Sequence, residues 1–373
     1  MNILFLCTFY HRAMIFYDTI QNLRPLGYRV QVFNAVAEGA EISEKYRGIM
    51  DENVVHSECF QKWDRYFYFR KQKKIHDALL QKIDLENCDL IHSHTFFNGG
   101  WVAYRLRKAY GIPYVVSVRD TDLNYFLRIP GFRAIAQAIA KNASGIQFLS
   151  ESYKNLFLEK CFAPSGRKDI DQKSTVITNG VESFWLENKG EAKSLHCRDI
   201  RLICVGKIER RKNMEIVVKA AEMLEQKKYN VKLTIIGQVV DKEIYQHLQN
   251  SKITSVIPFM KKEELKNYYR DSDIFILPSI TESFGRVYIE AMSQGLPVIY
   301  TRGQGFDGIF PDGDIGCAVN ADNVEEIVTA VEQILSRYEE ISKRCIAACD
   351  RFDWKKIALQ LDTFYQKAGV RTK

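Results

Sequence analysis

Two glutamates eight positions apart give the first chemical signal in this 373-residue sequence. In the stretch 281–299, TESFGRVYIEAMSQGLPVI, Glu282 comes just before Phe284-Gly285, and Glu290 sits inside the apolar run Val287-Tyr288-Ile289-Glu290-Ala291-Met292. A glutamate on a solvated helix face needs no partner. One among hydrophobes does, because a buried carboxylate is costly unless something pairs with it. That partner is either a neighbouring lysine or a bound ligand. A strand over 274–277, ended by Pro278-Ser279, and a helix starting near Gly285 put Glu282 in a loop at the strand's carboxyl end and Glu290 in the helix's second turn. Five helical residues at about 1.5 Å each separate Gly285 from Glu290 by roughly 7–8 Å. The two carboxylates are then placed to hold two ends of an elongated ligand. The amides around Phe284, Gly285 and Arg286 point free N–H groups into the same space, and Gly285 lets a ligand come close to the backbone.

A second cluster reads ICVGKIERRKNMEIV, residues 203–217. A strand ends at Gly206, a basic loop follows and a helix begins near Asn213. Lys207 and Lys212, with Arg210 and Arg211, suit a diphosphate at a strand's carboxyl end. Lys207 and Lys212 are expected to face the ligand, and the two arginines water. The GxxxxGK[ST] spacing of a Walker A loop is absent, and no GxGxxG follows either half's first strand, which disfavours a dehydrogenase. His92 and His94 in LIHSHTFFNGG mark another strand end, as does Arg119-Asp120-Thr121-Asp122. The last matches the letters DxD but is read as acceptor-side, so no metal is expected. Finally, residues 61–74 interleave Trp63, Tyr66, Phe67, Tyr68 and Phe69 with Lys62, Arg65, Arg70, Lys71, Lys73 and Lys74. That mixture fits an anionic membrane surface or a lipid-diphosphate acceptor, and equally an amphipathic helix with a solvated basic face.

The elements that must position these residues follow from the apolar pattern. At 373 residues two domains are expected, and 46% apolar with 27% charged residues is ordinary for a globular chain. Short apolar runs alternate with helical patterns, which indicates parallel sheets. Strands are predicted at 3–8, 29–33, 90–93, 114–118, 145–148 and 174–177, then at 201–205, 232–236, 255–258, 274–277, 297–300 and 317–319. Helices include 214–226, 262–270, 286–294 and 324–337. The polar stretch after Val181 reads as an interdomain linker. The result is an α/β chain of two Rossmann-like doubly wound domains facing across a cleft, 1–182 and 183–352. The amphipathic tail 353–373 carries Trp354, Ile357, Leu361 and Phe364 on one face. No run approaches a membrane span, and the start MNILFLCTFYHRAM lacks a signal peptide's features. Nine scattered cysteines without a CxxC pair suggest a reduced, cytoplasmic setting. The net charge of +7 permits an anionic partner, but no nucleic-acid-binding fold accompanies it.

Taken together, Glu282-Ser-Phe-Gly-Arg-Val-Tyr-Ile-Glu290-Ala-Met and the following Gly295-Leu-Pro-Val resemble the signature of the retaining glycosyltransferases of group 1 (family 4), whose two domains form the GT-B fold. Weaker matches support it through the second half: Thr178-Asn179-Gly180-Val181 at the end of the first domain, Val256-Ile257-Pro258-Phe259 before Lys262-Glu263-Glu264, and the glycines at 303, 305, 313 and 316. The resemblance implies that Glu282 and the Phe284-Gly285 amides meet the donor sugar and that Glu290 holds the ribose diol. It further implies that Gly206, Lys207 and Lys212 meet the diphosphate, that Arg286 adds a donor contact, and that the Ile257 segment cradles the base. Lys207 stands where the family usually has arginine, and Asn213 where it has glycine. In the first domain the resemblance thins. The usual Gly-Gly after the first strand is replaced by Tyr10-His11-Arg12-Ala13, and the usual histidine after 114–118 by Arg119-Asp120. Asp120 is the expected polar contact there, with Arg119 and His94 as acceptor-side candidates. The tail is expected to cross back onto the first domain.

The implied reaction moves a hexose from a UDP- or GDP-linked donor to a hydroxyl of a glycan or lipid-linked acceptor, without a cofactor, in cell-surface polysaccharide or lipid-linked glycan synthesis. Contact with the inner face of the membrane would run through 61–74. Two other readings share the same residues: a non-catalytic nucleotide-sugar-binding subunit, and a nucleotide-sugar epimerase on the same fold.

Overall fold

The structure is a computed structural model that describes residues 1–42, 48, 51–195 and 198–369. The chain forms two compact units, one of 1–149, 153–179 and 354–373, the other of 150–152 and 180–353.

The first unit is built on a seven-stranded sheet in the order β3-β2-β1-β4-β5-β6-β7. Its strands are β1 (Asn2–Cys7), β2 (Arg29–Ala37), β3 (Val54–Phe60), β4 (Leu90–Ser93), β5 (Tyr114–Ser117), β6 (Gly145–Phe148) and β7 (Ser174–Val176). All pairings are parallel. The central strands β4, β5 and β6 are buried on both faces, which is why they read as unbroken apolar runs rather than alternating ones. β3 had no such signature. Its sequence VVHSECF mixes polar and apolar positions because it lies at the sheet edge, and the apolar pattern passed over it.

Helix α1 (Met14–Leu23) and the last helix, α5 (Trp354–Ala368), cover one face of this sheet together. Trp354, Ile357, Leu361 and Phe364 are all buried there, against Phe5, Phe16 and Ile20. The amphipathic tail thus belongs to the first unit, as the family resemblance implied. Tyr365 adds a polar tie, its hydroxyl 2.6 Å from His92 Nδ1. Helix α2 (Tyr68–Lys82) packs on the other face through Ile75 and Leu79.

The second unit has six parallel strands in the order β10-β9-β8-β11-β12-β13. They are β8 (Asp199–Val205), β9 (Asn230–Gly237), β10 (Thr254–Pro258), β11 (Ile274–Ile276), β12 (Val298–Thr301) and β13 (Gly316–Val319). Helix α3 (Met214–Gln226) follows β8 and helix α4 (Arg286–Ser293) follows β11. Strand order reverses between β1 and β4 in one sheet and between β8 and β11 in the other. Carboxyl ends at such a switch point are where open α/β sheets receive ligands.

The stretch after Val181 is no free tether. Residues Ser183–Glu187 form a helical turn whose Trp185 is 2% exposed and meets Tyr269 edge-on. Lys193 Nζ then donates to Tyr269 O (3.1 Å) and Arg270 O (2.7 Å), satisfying the open carbonyls at the end of helix Lys262–Asp271. A polar sequence concealed a strap bound to the second unit. Among the described residues, no helix is long and apolar enough to cross a membrane.

Candidate functional site

The basic loop after β8 and the glutamate loop after β11 meet at the switch point of the second unit. Lys212, 9% exposed, donates from Nζ to Glu282 Oε2 at 2.5 Å. The two are seventy residues apart, and the β8–β11 pairing brings their loops side by side. Glu282 is held further by Ser283 N (3.2 Å to Oε1) and by Ser279 Oγ (3.4 Å to Oε2). Its own backbone N–H donates to Gln304 Oε1 (3.2 Å), and its carbonyl accepts from Gly305 N (2.9 Å). Gly305 is required there: a Cβ would lie 1.8 Å from Ser283 O.

Lys207 is exposed and makes no ion pair among the described residues, so it is the uncommitted cation beside Gly206. Arg211 does more than face water. Its Nη1 donates to Thr281 O (2.9 Å), pinning the glutamate loop to the basic loop. Asn213 occupies the left-handed region at φ 55°, the conformation in which a glycine is common. Asn tolerates it because its short amide bonds locally. Here Nδ2 donates to Pro278 O (3.1 Å) and Ala321 O (2.5 Å), so the side chain fastens the two loops that a glycine would leave untied.

Gly285, at φ 77°, caps helix α4. A Cβ on it would come within 2.3 Å of the Tyr288 ring, so only glycine fits at this position. Phe284 turns inward, 2% exposed, against Phe306 and Phe352, leaving its backbone rather than its ring for any donor. Arg286 is the first residue of α4, and Glu290 follows in the second turn. Glu290 keeps part of its surface accessible, yet burial of the carboxyl raises its pKa to about 7. Arg286 works against that rise and the like charge of Glu182 adds to it. No lysine or arginine forms an ion pair with Glu290 among the described residues. The side chain of Tyr269 also works against the rise, and a buried carboxylate with no cation paired to it is a candidate for holding a ligand. Ile257 is half-buried in β10, two residues before the 74%-exposed Phe259.

In the first unit, Arg119 and Asp120 stand at the carboxyl end of β5. Arg119 is tied down: Nε donates to His94 O (3.3 Å) and Nη1 to Asn179 Oδ1 (3.3 Å). Burial lowers its pKa to about 10. Asp120 is half-exposed and accepts from Thr121 Oγ1 (3.1 Å). The neighbouring Asp122, given no role in sequence, is a structural anchor. It is 2% exposed and accepts from the backbone N–H of Phe96 (3.1 Å), Phe97 (3.1 Å) and Arg119 (2.9 Å), which binds the β4 and β5 loops together. Burial still raises its pKa to about 6.

His94, the acceptor-side candidate at the end of β4, lies inside the first unit. It is 3% exposed, tilted against His92 with ring centroids 3.9 Å apart, and flanked by Phe5 and Phe16. Burial first, then His92 and Arg119, hold its pKa well below the ordinary value. The ring is buried, lines a small cavity with Arg119 and Asn179, and has no hydrogen-bond partner for either nitrogen among the described residues.

Comparison with known proteins places each half of the chain. Residues 188–350 match the family model described as glycosyl transferases group 1, and residues 13–183 match that of Glycosyltransferase Family 4. An uncharacterized glycosyltransferase of Methanocaldococcus jannaschii, MJ1178, is 22% identical over 359 residues, covering 94% of this chain and 92% of the relative. Sucrose-phosphate synthase from Thermosynechococcus elongatus shares the fold with a TM-score of 0.73 at 18% identity, over 98% of both chains. Anabaena HepE in complex with UDP does so with a TM-score of 0.70 at 16% identity, over 98% of this chain and 100% of the other.

Proposed function

From the premise that this chain belongs to the group 1 glycosyltransferases and has their GT-B fold, we propose that it transfers a hexose from a nucleotide-diphosphate sugar to a hydroxyl acceptor with retention at the anomeric carbon. One observation carries the reading. The Glu290 carboxyl is buried, raised to about 7 and without an ion-pair partner among the described residues, at the start of the helix that follows Glu282. A ribose diol would supply two hydroxyl donors to such a carboxylate, beside the one the Tyr269 side chain offers. The HepE structures with UDP and UDP-glucose support uridine as the base.

In this reading Lys207 and the amides at the start of α4 hold the diphosphate, and Lys212 joins them while sharing its charge with Glu282. Preorganised positive groups of this kind stabilise the departing diphosphate without having to reorganise at the moment of bond breaking. Glu282 and the Gly285 backbone take the sugar's hydroxyls, and Asp120, half-exposed after β5, contacts sugar or acceptor. The reading calls for no bound metal. It puts the protein in polysaccharide or lipid-linked glycan synthesis in the cytoplasm, with the exposed Trp63, Tyr66, Phe67 and Phe69 resting on an anionic membrane face.

Calorimetric titration of UDP and GDP in EDTA tests it, on wild type and Glu290→Ala. One nucleotide should bind in the micromolar range and weaken about tenfold or more in the variant, the loss expected for hydrogen bonds to a charged group. Binding of neither nucleotide, or binding indifferent to Glu290, would sink the reading.

A further inference from the structure

Lys71 has lost most of its water without gaining a carboxylate. It sits in the first turn of α2, with Nζ donating to Asn98 Oδ1 (3.1 Å) and lying 4.6 Å from the centre of the Phe60 ring. The nearby Asp64 is already committed. It accepts from Lys74 Nζ (2.7 Å) and Gln61 N (2.8 Å), and Arg70 approaches it at 3.3 Å. Burial accordingly lowers the Lys71 pKa. A buried ammonium without a counterion is unstable unless an anion visits it.

Lys71 lines a depression of about 670 Å³ at the carboxyl ends of β1, β2 and β3, which it shares with Arg12, Lys62 and Arg65. None of these four cations forms an ion pair among the described residues, and Glu41 is the one carboxylate in the lining. Glu58 and Glu38 are turned aside, to Gly39 N (2.9 Å) and Gln61 Nε2 (3.3 Å). Two neutral groups add donors. Thr8 Oγ1 is buried and has no hydrogen-bond partner among the described residues. His11 receives Asn34 Nδ2 at its Nδ1 (3.3 Å), which leaves the neutral ring's N–H on Nε2.

We propose that this depression binds a phosphate group of the acceptor, so that the hydroxyl glycosylated belongs to a phosphorylated compound. Lysine and arginine without counterions, backed by neutral donors, match a compact dianion better than a neutral glycan. The assignment rests on the transferase reading, since it takes the depression as the acceptor's. The exposed aromatic side chains that follow Lys62 in sequence fit a lipid phosphate, and a water-soluble sugar or polyol phosphate offers the same chemistry.

The test is calorimetry on the full chain with UDP saturating, so that phosphate positions of the donor site are filled. The probes are inorganic phosphate and monomeric dihexanoyl phosphatidic acid, titrated into wild type, Lys71→Met and Arg12→Gln. Both probes should bind wild type and weaken tenfold or more in each variant, with UDP affinity kept within twofold. A fivefold gain from phosphate to the lipid that disappears in Phe67→Ser identifies a lipid acceptor, and equal affinities a soluble one. Probes that bind both variants as well as wild type, or that fail to bind wild type while UDP binds, overturn the proposal. Failure of UDP itself overturns the transferase reading instead. Should Lys71→Met lose UDP through misfolding, the exposed Arg12→Gln decides.

Discussion

At the scale of single residues, Glu290 is stationed at a cost to the fold. Its pKa of about 7 lies above the ordinary 4.5, so between those values the folded chain holds a proton that the unfolded chain has released. Stability from this group is therefore intact below pH 4.5 and declines as pH rises through 7. Glu290→Gln removes the penalty. We expect the variant to be more stable than wild type by about 1–2 kcal/mol at pH 8, with no gain at pH 4.5, in denaturant titrations followed by tryptophan fluorescence. Nucleotide affinity should move the other way. It should tighten in wild type from pH 6 to 8 as the ionised share climbs from about a tenth to about nine tenths, and stay weak and flat in the variant. A variant no more stable at pH 8 would mean that water reaches the carboxyl after all. Both glutamates and both lysines were legible in sequence as a set, because residue type and strand-loop-helix context suffice to name them. The Lys212–Glu282 pair was not legible. It depends on β8 lying beside β11, which no local pattern reports.

At the scale of elements, the loops matter more than the strands they extend. The four-residue core strands and helix α3 were plain in the sequence, since burial on both faces or on one helical stripe leaves an unbroken or a 3.6-period pattern. Edge strand β3 and the strap at 183–193 were hidden, since the first is half-polar and the second is held by one tryptophan and one lysine rather than by a period. Asn213 shows how a departure from a family pattern can be compensated locally. Its φ of 55° costs most residues roughly 1–2 kcal/mol, and its amide holds Pro278 O and Ala321 O. Asn213→Ala should therefore destabilise the second unit by about 2–3 kcal/mol, from strain plus lost bonds. Asn213→Gly, which loses the bonds but not the backbone freedom, should cost about 1 kcal/mol or less. Thermal unfolding of both variants checks the order, and an alanine variant as stable as the glycine one would remove the strain argument.

At the scale of the whole molecule, the chain visits its first unit twice. The first 179 residues leave one face of the β1–β7 sheet covered by α1 alone, and residues Trp354–Ala368 return after the entire second unit to complete it. The sequence showed the apolar stripe of this helix, and only the resemblance said which sheet it would meet. Phe364 is a closely fitted contact, because it lies over Gly145, where a Cβ would come within 2.7 Å of its ring. Phe364→Ala opens a cavity that no larger side chain of β6 is positioned to fill, and should cost about 3–5 kcal/mol. That loss belongs to the first unit, although the mutation lies near the chain's end. Nucleotide should stabilise the second unit alone, by about 2.7 kcal/mol at a hundredfold excess over Kd. Scanning calorimetry separates the two. Phe364→Ala should lower one transition and leave the UDP-dependent one in place, still shifted by the ligand as in wild type. If instead the UDP-dependent transition falls with the mutation, the last helix stabilises the donor-holding unit as well, and the division of the chain into two energetic units is wrong.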